Sequence, residues 1–226
     1  MGIGGSLGKA LAPQVQKMAP EMTAGFVHEA LARAINGVGP LPGAAHAADK
    51  QLAEQGGDVD KAIHEVIENH VRYAGVQGFA TNLGGLVTAA VTIPANIAGL
   101  AMLQCRMVAG IAHLRGYDLT DQRVRNAVLM CMLGEDAVRS LVKKKKLPAP
   151  PMAVATAPAH DPHLDKVIAA EVTSELLTKV AGKRVATTVG RRVPVVGGLV
   201  GAGADGYSTW KIGRYADREL LSRPRR

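Results

Sequence analysis

The chain has 226 residues, of which 47% are hydrophobic and only 3% aromatic, with 26 glycines and a formal net charge of +8. That length is enough to bury a sizeable core, and a core of Ala, Val, Leu, Ile and Met punctuated by Gly favours packed helices over β-sheet. The charge is uneven: residues 1–138 hold 10 Lys/Arg against 12 Asp/Glu, a balance of −2, and residues 139–226 hold 17 against 7, a balance of +10. The second half therefore calls for an anionic partner, a lipid surface or nucleic acid. The lack of zinc-finger spacing, of an RNP motif and of stacking aromatics counts against nucleic acid.

Residues 1–20 read as a flexible arm. "MGIGGSLGKALAPQVQKM" lacks the continuous apolar region of a secretory signal. A first helix is expected from Glu21 to Asn36, with Met22, Phe26, Ala30 and Leu31 at helical spacing. "GVGPLPG" (37–43) breaks the chain. A short helix follows over Ala45 to Gln55. Asp58 is the expected N-cap of the next helix, whose stripe is Val59, Ile63, Val66, Ile67 and Val71. That helix leads into a run without Asp, Glu, Lys or Arg, between Arg72 and Arg106.

A spanning helix needs about 20 apolar residues. The run is long enough but contains Gln77, Thr81, Asn82, Thr88, Thr92, Asn96 and Gln104, and Gly84-Gly85 and Pro94 cut it. It is expected to fold as two short helices, Leu83 to Ile93 and Ala95 to Cys105, with Pro94 in the first turn of the second. Three uses stay open: a buried hairpin, an interfacial segment or a span.

Gly116 ends the helix, and Thr120 or Asp121 caps another that buries Val124, Val128, Cys131 and Met132 and carries Lys143 to Lys146 in its last turn. Cys105 and Cys131 are expected to be buried, reduced thiols. "LPAPPMAVATAPAHDP" (147–162) reads as a Pro-rich linker or extended loop. One amphipathic helix is expected over 163–190 and another in the apolar, Gly-rich segment after it. Gly197 and Gly201, and Gly182, Ala186 and Gly190, allow close helix approach. "SRPRR" reads as a basic tail over 222–226. The expected fold is an all-α, compact helical bundle over 21–221, with two Gly-rich apolar helical segments at its centre.

"GFATNLGGLVTAAVTIPANIAGLAMLQCRMVAGIAHLRGYDL" and "GRRVPVVGGLVGAGADGYSTWKIGRYA" together resemble the signature of the EcsC protein family. The matching positions are Gly84, Gly85, Pro94, Arg106, Ile111, Ala112, Gly116, Tyr117, Asp118, Pro194, Val195, Val196 and Gly197, within about residues 60–220. Asn96 stands where the family often has Asp, and Asp205 where it tends to carry Asn. The resemblance implies a bacterial, helical, cytoplasmic or membrane-peripheral protein and supplies no catalytic residues.

Chemistry is sparse. His64 and His70 in "HEVIENH" are six apart and face different ways, unlike the two imidazoles of a zincin. His160, Asp161 and His163 lie in the Pro-rich stretch. No metal or cofactor is expected. Arg106 and His113 share a helix face, and with Tyr117, Asp118 and Asp205 they are candidates for a polar cavity, since a cation on an apolar helix must find a partner or snorkel. No Walker loop, Gly-x-Ser-x-Gly or Rossmann fingerprint is present.

The function expected is that of a non-enzymatic module in the cytoplasm or at the inner face of the cell membrane. Lys143, Lys144, Lys145, Lys146, Arg191 and Arg192 would attract an anionic membrane surface or a membrane protein, and the apolar segments would bury against lipid or a protein partner. The alternatives are an enzyme with a polar cavity around Arg106, His113 and Asp118, and a soluble partner-binding scaffold or cargo protein.

Overall fold

The computed structural model describes residues 24–83, 89–189 and 194–223, the side chains of 77–97 and 179–202 excepted. The expected arm over 1–20, Gly84 and Gly85, Gly190, Arg191 and Arg192, and the tail from 224 lie outside the described residues.

Helix α1 (Ala24–Asn36) leads into a minimal hairpin of β1 (Gly37–Val38) and β2 (Leu41–Pro42), paired antiparallel with Val38 opposite Leu41. Gly37 sits at φ +89, and a Cβ there would lie 2.6 Å from the Leu41 carbonyl oxygen, so the tight reversal demands glycine. Helix α2 (Ala44–Glu54) ends before Gly56-Gly57, and α3 (Val59–Leu83) starts beyond them. Asp58 caps α3 as its sequence predicts, accepting from the Lys61 backbone N–H at 3.0 Å.

The charge-free run is divided, but not where proline was expected to divide it. Helix α3 carries it as far as Leu83, and α4 (Ala89–Leu114) begins five residues before Pro94. Pro94 therefore lies in the second turn of α4. Ala89 and Ala90 are strong helix formers, and proline there removes the bond to the Ala90 carbonyl and crowds that carbonyl without ending the helix. The run thus belongs to two long helices rather than two short ones.

The helix expected to reach Lys146 is also two: α5 (Gln122–Leu133) and α6 (Glu135–Lys143). Gly134 separates them at φ +82, a conformation that stops a helix. Of the two predicted caps of α5, Asp121 serves, accepting from the Arg123 N–H at 2.8 Å. The Pro-rich stretch is no open linker. It contains α7 (Pro151–Ala155), opened by a proline at its first position, and it buries Leu147, Val154 and Ala155. Two long helices finish the chain, α8 (Pro162–Val189) and α9 (Pro194–Glu219).

The result is an all-α bundle around α4, which touches α1, α2, α3, α5, α8 and α9; the largest pairing is α3 with α9. Their register is antiparallel: Gly213 faces Ile67 and Gly206 faces Val71. Helix α4 runs parallel to α9, with Gln104 donating to Thr209 at 3.1 Å and Arg115 to Asp217 at 2.8 Å. So the end of α3 and the starts of α4 and α9 lie at one end of the bundle. Four residues connect α8 to α9, which brings the end of α8 there too.

At the opposite end the chain closes on itself. Arg115 donates to Asp60, Ser222 and Asp217. The Tyr117 hydroxyl donates to the Leu221 carbonyl at 3.0 Å, the Arg223 N–H to the Arg115 carbonyl at 2.8 Å, and the Arg223 guanidinium lies 5.8 Å from the Tyr117 ring centroid. Ser222 and Arg223, read from sequence as the start of a tail, are bound because Gly116 turns Arg115 and Tyr117 toward them.

Candidate binding cavity

A cavity of about 560 Å3 opens on the side of the bundle between α1, the hairpin, α2, α3 and α4. Small residues make the room: Ala34, Ala44, Ala47 and Ala48 line one side and Gly110 of α4 another. Met102, Leu103, Val66, Val38 and Leu41 complete an apolar wall. Val38 and Leu41, on the hairpin, are 40% and 48% exposed.

The polar groups are few. Arg106, half-buried, reaches the cavity beside His70 and Tyr73. Arg33 and Lys50 at the margin have carboxylate partners, Glu29 at 2.7 Å and Glu54 at 3.8 Å. Asn69 donates to Gln51 at 3.3 Å, and Gln51 donates to Glu54. No carboxylate lines the cavity, and among the described residues none forms an ion pair with Arg106. Burial holds its guanidinium below the ordinary arginine value, and the Tyr73 hydroxyl acts the other way; arginine keeps its charge throughout.

His70, weighed in the sequence only as a metal ligand, is a polar residue of this cavity. It is buried, and its Nδ1 lies 2.7 Å from the Val66 carbonyl. A carbonyl only accepts, so Nδ1 carries the proton. Burial pushes the imidazole down to about 4, against the pull of that hydrogen bond and with the help of the Arg106 charge. The ring meets Tyr73 edge to face at 6.5 Å. The signal was in the periodicity: position 70 continues the Ile63, Val66, Ile67 stripe, which the search for paired metal ligands ignores.

Of the five residues predicted from sequence to share a polar cavity, only Arg106 lines this one. His113, about two turns along the same face of α4, bonds to Asp49 in the middle of α2 at 2.8 Å. Tyr117 is buried in the clasp at the closed end of the bundle. Asp118 is an exposed turn residue whose carboxyl is held below its usual range by the Thr120 backbone N–H and hydroxyl, at 2.8 and 2.7 Å. Asp205 is buried on α9. His64 is exposed, and His160 pairs with Asp165 at 2.8 Å. No cluster of three potential metal ligands occurs among the described residues.

The lysine run does not lie at the end of the bundle where α8 gives way to α9. Lys146 bonds Glu171 at 2.7 Å, and Glu171 is about 27 Å along α8 from its last residue. Lys143, Lys144 and Lys145 are exposed. A second, smaller cavity between α6 and α9 is edged by charges that neutralise one another, with Arg218 2.7 Å from Glu135 and Lys211 3.8 Å from Asp136.

The described residues form an all-α bundle with a mainly apolar cavity that a half-buried arginine enters. Residues 5–223 match the EcsC protein family, and the chain belongs to that family. No curated protein and no solved structure matches the chain.

Proposed function

We infer that this protein is a membrane-peripheral module that rests the apolar end of its bundle on an anionic lipid surface. One observation carries the reading: two uncharged stretches far apart in sequence are brought to the same end, where the sequence joining α8 to α9 is rich in cations. The uncharged stretches are 73–105 and 193–204. Between Glu175 and Asp205 the chain has five cations, Lys179, Lys183, Arg184, Arg191 and Arg192, and no carboxylate. Those on α8 belong to its last turns, at the end where α9 begins.

Cations near an anionic bilayer contribute about 1 kcal/mol each, and an apolar surface then embeds about 5–10 Å into the headgroup boundary. This is adsorption rather than spanning: no helix among the described residues is long and apolar enough to cross a membrane. The lysine run from Lys143 to Lys146 lies on the flank and would add long-range attraction only.

Flotation with phosphatidylglycerol and phosphatidylcholine vesicles tests this. The protein should float with the anionic vesicles at low ionic strength and detach as salt rises. The double variant Arg191→Glu, Arg192→Glu should bind more weakly than Lys143→Glu, Lys144→Glu. Absence of flotation at low salt would overturn the reading.

A further inference from the structure

We propose that the side cavity binds a single-chain amphiphilic carboxylate, with the carboxylate on Arg106 and the chain along the alanine, valine, leucine and methionine wall under the hairpin. The cavity borders the uncharged stretch 73–105 at Tyr73, Met102 and Leu103, but the inference does not depend on the vesicle-docking reading.

Charge complementarity selects the head group. Arg106 brings a guanidinium into a cavity without a carboxylate in its lining. A half-buried charge of this kind is costly unless an opposite charge meets it, and the guanidinium fork matches a carboxylate. The other cations at the margin are already engaged, Arg33 by Glu29 and Lys50 by Glu54. One guanidinium without an ion pair among the described residues suits a monoanion better than a doubly charged phosphate monoester. His70 brings no charge near neutral pH, since burial pushes its imidazole down to about 4, while its Nδ1–H donates to the Val66 carbonyl.

Shape and lining select the tail. A volume of about 560 Å3 lies within the roughly 300–1,000 Å3 of pockets that enclose one small ligand. It suits one acyl chain rather than a two-chain lipid. The lining has no ordered ladder of donors for a polar tail: Asn69 and Gln51 are bonded to each other, His46 and Tyr73 add isolated polar groups, and the apolar wall includes Ala34, Ala47, Ala48, Val66, Met102 and Leu103. The hairpin residues Val38 and Leu41 are exposed large apolar side chains, placed to cover a chain lying beneath them.

The test is calorimetric titration of the full-length protein with dodecanoate below its micelle concentration, without vesicles. Dodecanol and butyrate serve as probes of tail alone and head alone. Dodecanoate should bind at least about tenfold more tightly than either, and Arg106→Gln should weaken it by about tenfold or more. Leu41→Asp, at an exposed position that leaves the core intact, places a carboxylate at the mouth and should also weaken binding by about tenfold. Both variants are checked by circular dichroism, and if Arg106→Gln fails to fold, Leu41→Asp decides. Equal binding of dodecanoate and dodecanol, or wild-type affinity in the folded variants, overturns the proposal. Because no bilayer is present, failure here leaves the vesicle result standing, and failure of flotation leaves this one standing.

Discussion

Arg115, at the end of α4, donates to Asp217 of α9 at 2.8 Å, with both side chains only 17% exposed. The same guanidinium reaches Asp60 at the start of α3 and Ser222 beyond α9, so one side chain joins the three central helices where they end. Removing one partner of a largely buried pair strands the other. Arg115→Ala should therefore cost about 2–4 kcal/mol, read as a lower urea midpoint with an unchanged slope. Arg115→Lys cannot reproduce the fork and should recover only part. A loss below about 0.5 kcal/mol, the size of a surface substitution, would show that the three helix ends are held by apolar contacts alone.

Gly213 marks a close approach of α9 to α3 and α4. A Cβ there would lie 3.0 Å from Ile67 Cγ1 and 3.1 Å from Met107 Sδ. Alanine improves helix propensity by about 1 kcal/mol, but overpacking costs about 1–3 kcal/mol, so Gly213→Ala should be neutral to mildly destabilising and Gly213→Val clearly destabilising. Trimming the neighbour relieves the strain: Ile67→Val combined with Gly213→Ala should melt higher than the sum of the two single effects predicts. Strict additivity would mean that the helices separate instead of repacking.

The helices were legible because their signals are local. Asp58 before an apolar stripe, Gly116 after one and two prolines near the starts of α8 and α9 all fall where the helices begin or end. The divisions went astray where one signal outweighed another. Pro94 was expected to open a helix, yet alanines ahead of it carry the helix back to Ala89. Gly134, with its positive φ, lay unweighted in an otherwise continuous pattern. The cavity was barely legible, since it needs Arg106, His70 and the small residues of α2 brought together from three helices. The partners of His113 and Tyr117 are likewise 64 and 104 residues away, and no spacing rule reaches that far.

Both thiols are deep in the core. Cys105 lies 3.4 Å from the Met132 sulfur, and both cysteines are at most 1% exposed. Burial pushes the Cys105 thiol up to about 12 and raises Cys131 as well. A thiol in that state is neither accessible nor nucleophilic. Iodoacetamide at pH 8 should label neither cysteine in the native protein and both in denaturant, as counted by intact mass. Fast native labelling of Cys105 would indicate that α4 opens away from α5.

His70 gives stability a specific dependence on pH. Its folded-state value is about 4, below the ordinary 6.5, because burial disfavours the imidazolium. Above pH 6.5 the ring is neutral in both states and the full stability is present. As pH falls from 6.5 toward 4 the unfolded chain takes up a proton that the folded chain refuses, so stability declines through that window and levels off below it. The loss amounts to about 3 kcal/mol. The depressed carboxyls of Asp58, Asp118 and Asp121 act lower, from about pH 5 downward, and act alike in parent and variant. His70→Gln should flatten the decline between pH 6.5 and 4 relative to the parent, measured as urea midpoints at half-unit steps. Parallel curves for the two proteins would mean that His70 reaches solvent and titrates as an ordinary histidine.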